Sequence, residues 1–299
     1  MSNVGRNIST EKGVIMNQSY LPDSHCHSEH SFDGNDPVRA LCEHAAGLGL
    51  YSLTVTDHCE CNEYEQTNAR ESILRSVEQT GQAAAESAGR LRVYRGVELG
   101  QATQNPAAAQ EILGLCPFDF VLGSLHNLRG KPDFYFLDYR TEDVPRLLHT
   151  YFDELLELIE QGWFDSLAHL TYPLRYIVGD HRIAVNADAY QQRVDEVLCA
   201  LVQHEKALEV NTSGLRQKIG ETLPGESIVR RFRQLGGKYV TLGSDAHRAA
   251  DVGSGIAQGL ALLQRAGFSH VTVFVNRSPA LLPLDASKPI STEREEYAP

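Results

Sequence analysis

Short apolar, β-rich runs alternate with longer helical stretches along this chain, and nearly every run ends in a metal-capable side chain. The runs are residues 20–22 leading into His25, then 50–56, 91–99, 118–125, 164–170, Ala207–Asn211, 239–243 and His270–Val275. Between them, Val144–Gln161 puts Leu147, Leu148, Tyr151, Leu155, Leu158 and Ile159 on one helical face, and Gly162 ends the pattern. Residues 187–203 and 226–235 behave similarly. Strands alternating with helices predict βαβ units and a parallel sheet. Seven or eight such units predict a barrel, with a doubly wound sheet as the alternative.

Charge narrows the partners. Lys and Arg number 27 against 39 Asp and Glu, a net charge of −12. No dense basic cluster offsets this, which disfavours a nucleic-acid surface. A small phosphate ester remains open, because metals or a few arginines bind phosphate locally. The cysteines (Cys26, Cys42, Cys59, Cys61, Cys116, Cys199) form no CxxC pair, so free thiols in a reducing cytosol are expected. Residues 1–20 lack the apolar core of a signal peptide, and no apolar run reaches the roughly 20 residues of a membrane span. The expectation is a cytoplasmic protein, a monomer or small homo-oligomer, with no nucleic-acid or membrane partner. Residues 1–19 read as an N-terminal extension, 20–285 as a single barrel domain and 286–299 as a charged tail. No GxGxxG, GxxxxGK[ST] or GxSxG motif occurs, so nucleotide cradles and a serine nucleophile are unsupported.

In parallel barrels function gathers at the C-terminal strand ends. Those ends carry His25 and His27, Asp57 and His58, Glu98, His126, His169, Asn211, and Asp245 with His247. Histidine with carboxylate suits Zn, Mn or Fe. A lone strand-end histidine is usually structural, and Glu98, a carboxylate inside an apolar run, is satisfied equally by a salt bridge if buried. The joint pattern favours a metal pocket, because chance would have to explain every strand end separately. His25 and His27 share a strand face by their spacing, which turns Cys26 away. His30 is a candidate pocket residue. His44, His149, His181, His204 and His270 fall outside the pattern.

Together these residues resemble the PHP (polymerase and histidinol phosphatase) superfamily, from His25 to about Asn276. The resemblance rests on the HxH pair, Ser31-Phe32-Asp33, Thr56-Asp57-His58, Glu98, Gly123-Ser124-Leu125-His126, Ala168-His169 and Gly243-Ser244-Asp245-Ala246-His247. It implies a distorted (β/α)7 TIM-like barrel with a trinuclear site of divalent Zn, Mn or Fe. The first metal would take His25, His27, Glu98 and Asp245. The second would take Glu98, His126 and His169, and the third Asp33, His58 and His247. Many relatives carry histidine where this chain has Asp33. Asp57 would orient a neighbour rather than bind metal. With eight candidate strands for seven places, His270–Val275 is expected at the edge or outside the ring.

Asn211-Thr212-Ser213-Gly214-Leu215-Arg216 and Pro173-Leu174-Arg175 resemble the histidinol-phosphatase branch. Arg175 and Arg216 would then grip phosphate, since a planar guanidinium holds two oxygens at once. The aromatic segment 127–139 would shape an imidazole pocket or pack as a lid. The implied activity is hydrolysis of L-histidinol phosphate, in histidine biosynthesis, by a metal-bridging hydroxide, without a covalent nucleophile. His247 or Asp245 would serve as the acid. The alternatives are a PHP-type phosphoesterase on a nucleotide, oligonucleotide or phosphotyrosine, and a non-catalytic metal-binding module.

Overall fold

The computed structural model describes residues 21–285 and 291–292. The expected N-terminal extension, and the expected tail apart from Ser291–Thr292, lie outside the described residues.

Seven parallel strand positions form a nearly closed barrel. Its order is β1 (Pro22–Cys26), β2 (Ser52–Val55), β4 (Arg92–Gly100), β5 (Phe120–Ser124), β6 (Ser166–Leu167), β7 (Ala207–Asn211) and β8 (Val240–Gly243). A short β3 (His58–Glu60), which the sequence reading did not anticipate, continues β2 after a break at Thr56-Asp57. The nine-residue β4 pairs first with β2 through Arg92–Arg95 and then with β3 through Glu98–Gly100. The expected eighth strand, β9 (His270–Val275), lies outside the ring. It forms a separate antiparallel sheet with β10 (Ser278–Pro283) and β11 (Ser291–Thr292).

Closure is made between β1 and the residues after β8. Asp245 N–H donates to the His25 carbonyl and His27 N–H to the Ala246 carbonyl, both at 2.8 Å. Gly243 permits this approach. A Cβ there would stand 2.3 Å from the His25 Cβ and 2.4 Å from Glu209 Oε1.

The outer helices are α1 (Val38–Gly47), α2 (Ala69–Glu86), α3 (Pro106–Leu115), α4 (Val144–Gln161), a single turn α5 (Tyr172–Leu174), α6 (Gln191–Gln203), α7 (Glu226–Gln234) and α8 (Ile256–Arg265). The strongly periodic α4 runs as its pattern predicts. Asp143 caps it by accepting from Arg146 N–H at 3.2 Å, and Gly162 ends it in the left-handed region. Its face of Leu147, Leu148, Tyr151, Leu155, Leu158 and Ile159 is buried in the core. Each such side chain contributes about 1.5–3 kcal/mol by leaving water. This packing makes the strand ends a rigid platform. Among the described residues, no helix is long and apolar enough to cross a membrane.

Candidate metal centre

Strand pleat sets which side chains point inward at the mouth. His126, His169 and Asp245 each stand two residues beyond the last residue of β5, β6 and β8. They join His25 at the end of β1, His27 just after it, His58 at the start of β3 and Glu98 within β4. His25, His27, Glu98, His126, His169 and Asp245 are all buried. His169 and Asp245 adopt positive φ, 22° and 53°, a backbone cost that clusters at functional sites.

Glu98 is the hub. Its Oε2 lies 3.2 Å from His25 Nε2, 3.5 Å from His27 Nε2 and 3.1 Å from His58 Nδ1. Its Oε1 lies 2.9 Å from His169 Nε2 and 3.2 Å from His126 Nε2. Asp245 Oδ1 adds a second carboxylate, 3.4 Å from His27 Nε2 and 3.7 Å from His25 Nε2. Asp33, on the loop after β1 and 41% exposed, reaches His247 Nε2 at 3.1 Å and His58 Nε2 at 3.6 Å.

Among the described residues, three sets could each hold an ion: His25, His27 and Asp245; His58, Glu98 and His126, where His169 was expected in place of His58; and His27, His58 and His247, where Asp33 was expected in place of His27. The fit to metal is supported by paired ring nitrogens that face one another, His25 with His27 at 3.0 Å and His126 with His169 at 3.3 Å. Nitrogens at that distance share one proton or converge on one cation, so both pairs are compatible with a metal site. His58 Nδ1 is also buried without a hydrogen bond, next to the shared carboxylate.

The charges agree. Burial pushes the Glu98 carboxyl up, but His25, His126 and His58 outweigh it and hold it well below its usual range. Burial likewise opposes ionisation of Asp245, and His25, His27 and His247 reverse it. Burial disfavours protonated His25, yet Glu209, Glu98 and Asp245 raise its pKa well above normal. Burial, then the neighbouring His58 and His247, lower His27 to about 3, so its ring is neutral at physiological pH.

Outer partners aim the rings. His25 Nδ1 donates to Glu209 Oε1 at 2.7 Å, which directs Nε2 at Glu98. Glu60 takes His126 Nδ1 at 2.9 Å. Asp57 accepts from Ser28 N–H and the hydroxyls of Ser28, Ser31 and Ser76, so its carboxylate is saturated. Ser31 in turn lies 3.2 Å from His27 Nδ1. Sequence reading missed Glu209 and Glu60. Glu209 carries the same signal as Glu98, a carboxylate inside an apolar strand, and Glu60 stands two residues after His58. Glu209→Gln should weaken zinc binding about 10- to 100-fold with the fold intact. Competition against a chromophoric chelator measures this, and unchanged affinity removes Glu209 from the site.

Above the cluster opens a cavity of about 340 Å3. Arg175 lines it, 13% exposed, its guanidinium held by Ser213 Oγ at 2.8 Å, Asp245 Oδ2 at 3.1 Å and the Tyr172 ring at 5.0 Å. Two expected substrate contacts do not line it. Arg216 folds back and donates to the carbonyls of Ser244 at 2.8 Å and Asp245 at 3.4 Å. His30 is half-buried and also off the lining. The aromatic segment divides. Phe134 and Tyr139 are core residues, whereas Tyr135 and Phe136 line the mouth.

A parallel barrel whose C-terminal mouth gathers histidines around a shared carboxylate defines a metal-dependent hydrolase. The PHP domain matches residues 23–213. A probable histidinol-phosphatase of Thermotoga maritima is 30% identical over 256 residues, 84% of this chain and 94% of that protein. The histidinol-phosphatase of Lactococcus lactis subsp. lactis is 26% identical over 258 residues, 84% of this chain and 93% of that protein. A crystal structure of histidinol phosphate phosphatase from Lactococcus lactis, complexed with zinc, L-histidinol and phosphate, superposes with a TM-score of 0.68. It is 24% identical and covers 87% of this chain and 98% of its own. The chain belongs to the PHP family.

Proposed function

We propose that this protein hydrolyses L-histidinol phosphate to L-histidinol and phosphate, as a cytoplasmic enzyme of histidine biosynthesis. The observation that carries the reading is one cavity in which the Glu98-centred cluster faces Arg175. Relatives named histidinol-phosphatase that align over 84% of the chain support the choice of ester. The acidic balance favours a small substrate over a nucleic acid.

Three divalent ions, Zn, Mn or Fe, are assigned to the cluster. His25, His27, Glu98 and Asp245 would hold the first, Glu98, His126 and His169 the second, and Asp33, His58 and His247 the third. When bound, such ions lower the pKa of water and offset phosphoryl charge. Arg175 binds the phosphoryl oxygens, already fixed in position by Ser213, Asp245 and Tyr172. Of the two expected proton donors, Asp245 is held ionised, which suits a ligand rather than an acid, and His247 would be the donor only with its ring free of the third ion. Tyr135 and Phe136 cover the leaving group at the mouth.

Zinc-loaded protein should release phosphate from L-histidinol phosphate with a higher kcat/KM than from nucleoside monophosphates. A preference for a nucleotide overturns the reading. Arg175→Ala should lower kcat/KM about 100-fold, mainly through KM, because a buried guanidinium bond to a charged oxygen is lost. Steady-state kinetics with unchanged KM removes Arg175 from the phosphate site.

A further inference from the structure

We propose that Gln101 is a positioning residue of the metal centre, whose one side-chain amide holds His126 by its backbone and, through Glu60, by its ring. The proposal rests on the metal-dependent phosphatase reading of the same site.

Gln101 directly follows β4, three residues beyond Glu98, and is 2% exposed. Its backbone adopts a φ of 49°, a left-handed conformation that is costly for a residue with a Cβ and clusters at functional sites. Its N–H donates to the Ser124 carbonyl at 3.0 Å, which ties it to the end of β5. The side-chain Oε1 accepts from His126 N–H at 3.3 Å. Nε2 donates to Glu60 Oε2 and to Asn127 Oδ1, the latter at 2.6 Å. The neighbours fix which way this amide faces. Asn127 Nδ2 donates to the carbonyls of Leu128 and Lys131, both at 3.0 Å, so its Oδ1 is the atom turned to Gln101. A flipped Gln101 would set an oxygen against two acceptors and an NH2 against an N–H.

Glu60 completes the link. Its Oε1 accepts from His126 Nδ1 at 2.9 Å and stands 3.2 Å from His58 Nδ1. Strand register makes the room. Glu60 pairs with Gly100 across β3 and β4, and a Cβ on Gly100 would meet Glu60 Oε2 at 2.5 Å. His126 is therefore held at backbone and ring together, and its Nε2 is left facing Glu98 Oε1 at 3.2 Å. A carboxamide supplies the donor and the acceptor on one planar group. Glutamate lacks the donor, and methionine, of similar size, lacks both. With His126 loosened, the metal side of the cavity loses a fixed ligand while the Arg175 side is untouched.

The competing role is packing, in which the buried amide joins β4 to β5 without bearing on the ligand. Gln101→Met keeps the volume and removes the hydrogen bonds, so it separates the two roles. Cobalt(II) is bound in place of zinc, because its visible absorption bands report the shape of the ligand shell. In Gln101→Met these bands should shift from their wild-type positions. Zinc affinity, measured against a chromophoric chelator, should fall about tenfold, the lower end for partners that orient a metal ligand. On L-histidinol phosphate, kcat should fall about tenfold with KM within about twofold of wild type. An unchanged cobalt spectrum, with zinc affinity within about twofold of wild type, overturns the proposal even where the variant melts earlier. If Gln101→Met does not fold, Gly100→Ala decides. Its new Cβ pushes the Glu60 carboxylate off the amide and leaves the Gln101 side chain unaltered. The same spectral shift is expected there, and its absence overturns the proposal. The metal readings do not depend on the ester. If the shift appears and wild type ignores L-histidinol phosphate, that substrate falls and the role of Gln101 stands.

Discussion

Glu98→Ala should lower kcat on L-histidinol phosphate roughly a thousandfold or more and reduce the zinc bound per chain. Five imidazoles converge on this carboxylate, with contacts of 2.9 to 3.5 Å. Among the described residues, no other carboxylate pairs with ring nitrogens of both the His25–His27 pair and the His126–His169 pair. Without it, protonated His25 and His126 keep Glu209, Asp245 and Glu60 as counter-charges but lose the carboxylate they share. Removing one partner of a buried ion pair is destabilising, so the metal-free variant should also melt earlier than the metal-free parent. Elemental analysis, kinetics and a thermal melt read the three effects. Wild-type metal content with wild-type kcat contradicts the bridging role.

Chelation should abolish activity, zinc should restore it, and zinc binding should release protons. Burial opposes the charged form of His126, but Glu60 and Glu98 raise its pKa from 6.5 to about 10. Near neutral pH the metal-free ring is therefore protonated, and a ligand must surrender that proton. The sign follows for both states. The contribution of His126 to the metal-free fold is complete below pH 6.5 and is lost as pH rises through about 10. Zinc affinity should move the opposite way, rising up to about tenfold per pH unit for each proton displaced. Calorimetry in two buffers of different ionisation heat counts the protons. A flat affinity between pH 6.5 and 9, with none released, rejects a protonated cluster.

Much of this arrangement was legible because strand geometry is local. Period 2 put His25 and His27 on one face, and a carboxylate in an apolar run exposed Glu98. The same rule applied to Ala207–Asn211 points to Glu209, which a reading of strand ends alone passes over for the terminal Asn211. Arg216 follows a motif that resembles the phosphatase branch. Nothing local shows that its guanidinium turns onto the carbonyls after β8. That β9 leaves the ring is a matter of how many strands close it, which periodicity does not count.

The seam between β1 and β8 has a consequence for the whole chain. Asp23 accepts from Ser244 N–H, 221 residues further along, at 2.8 Å. Bringing together two points that distant costs about 5 kcal/mol of chain entropy. His25 and His27 stand on one side of this seam and Asp245 on the other, so an ion shared by them would be a clasp across the loop that the seam closes. Metal loss then loosens a ring rather than a single side chain. A nascent chain cannot fasten the clasp until its final barrel strand has been made.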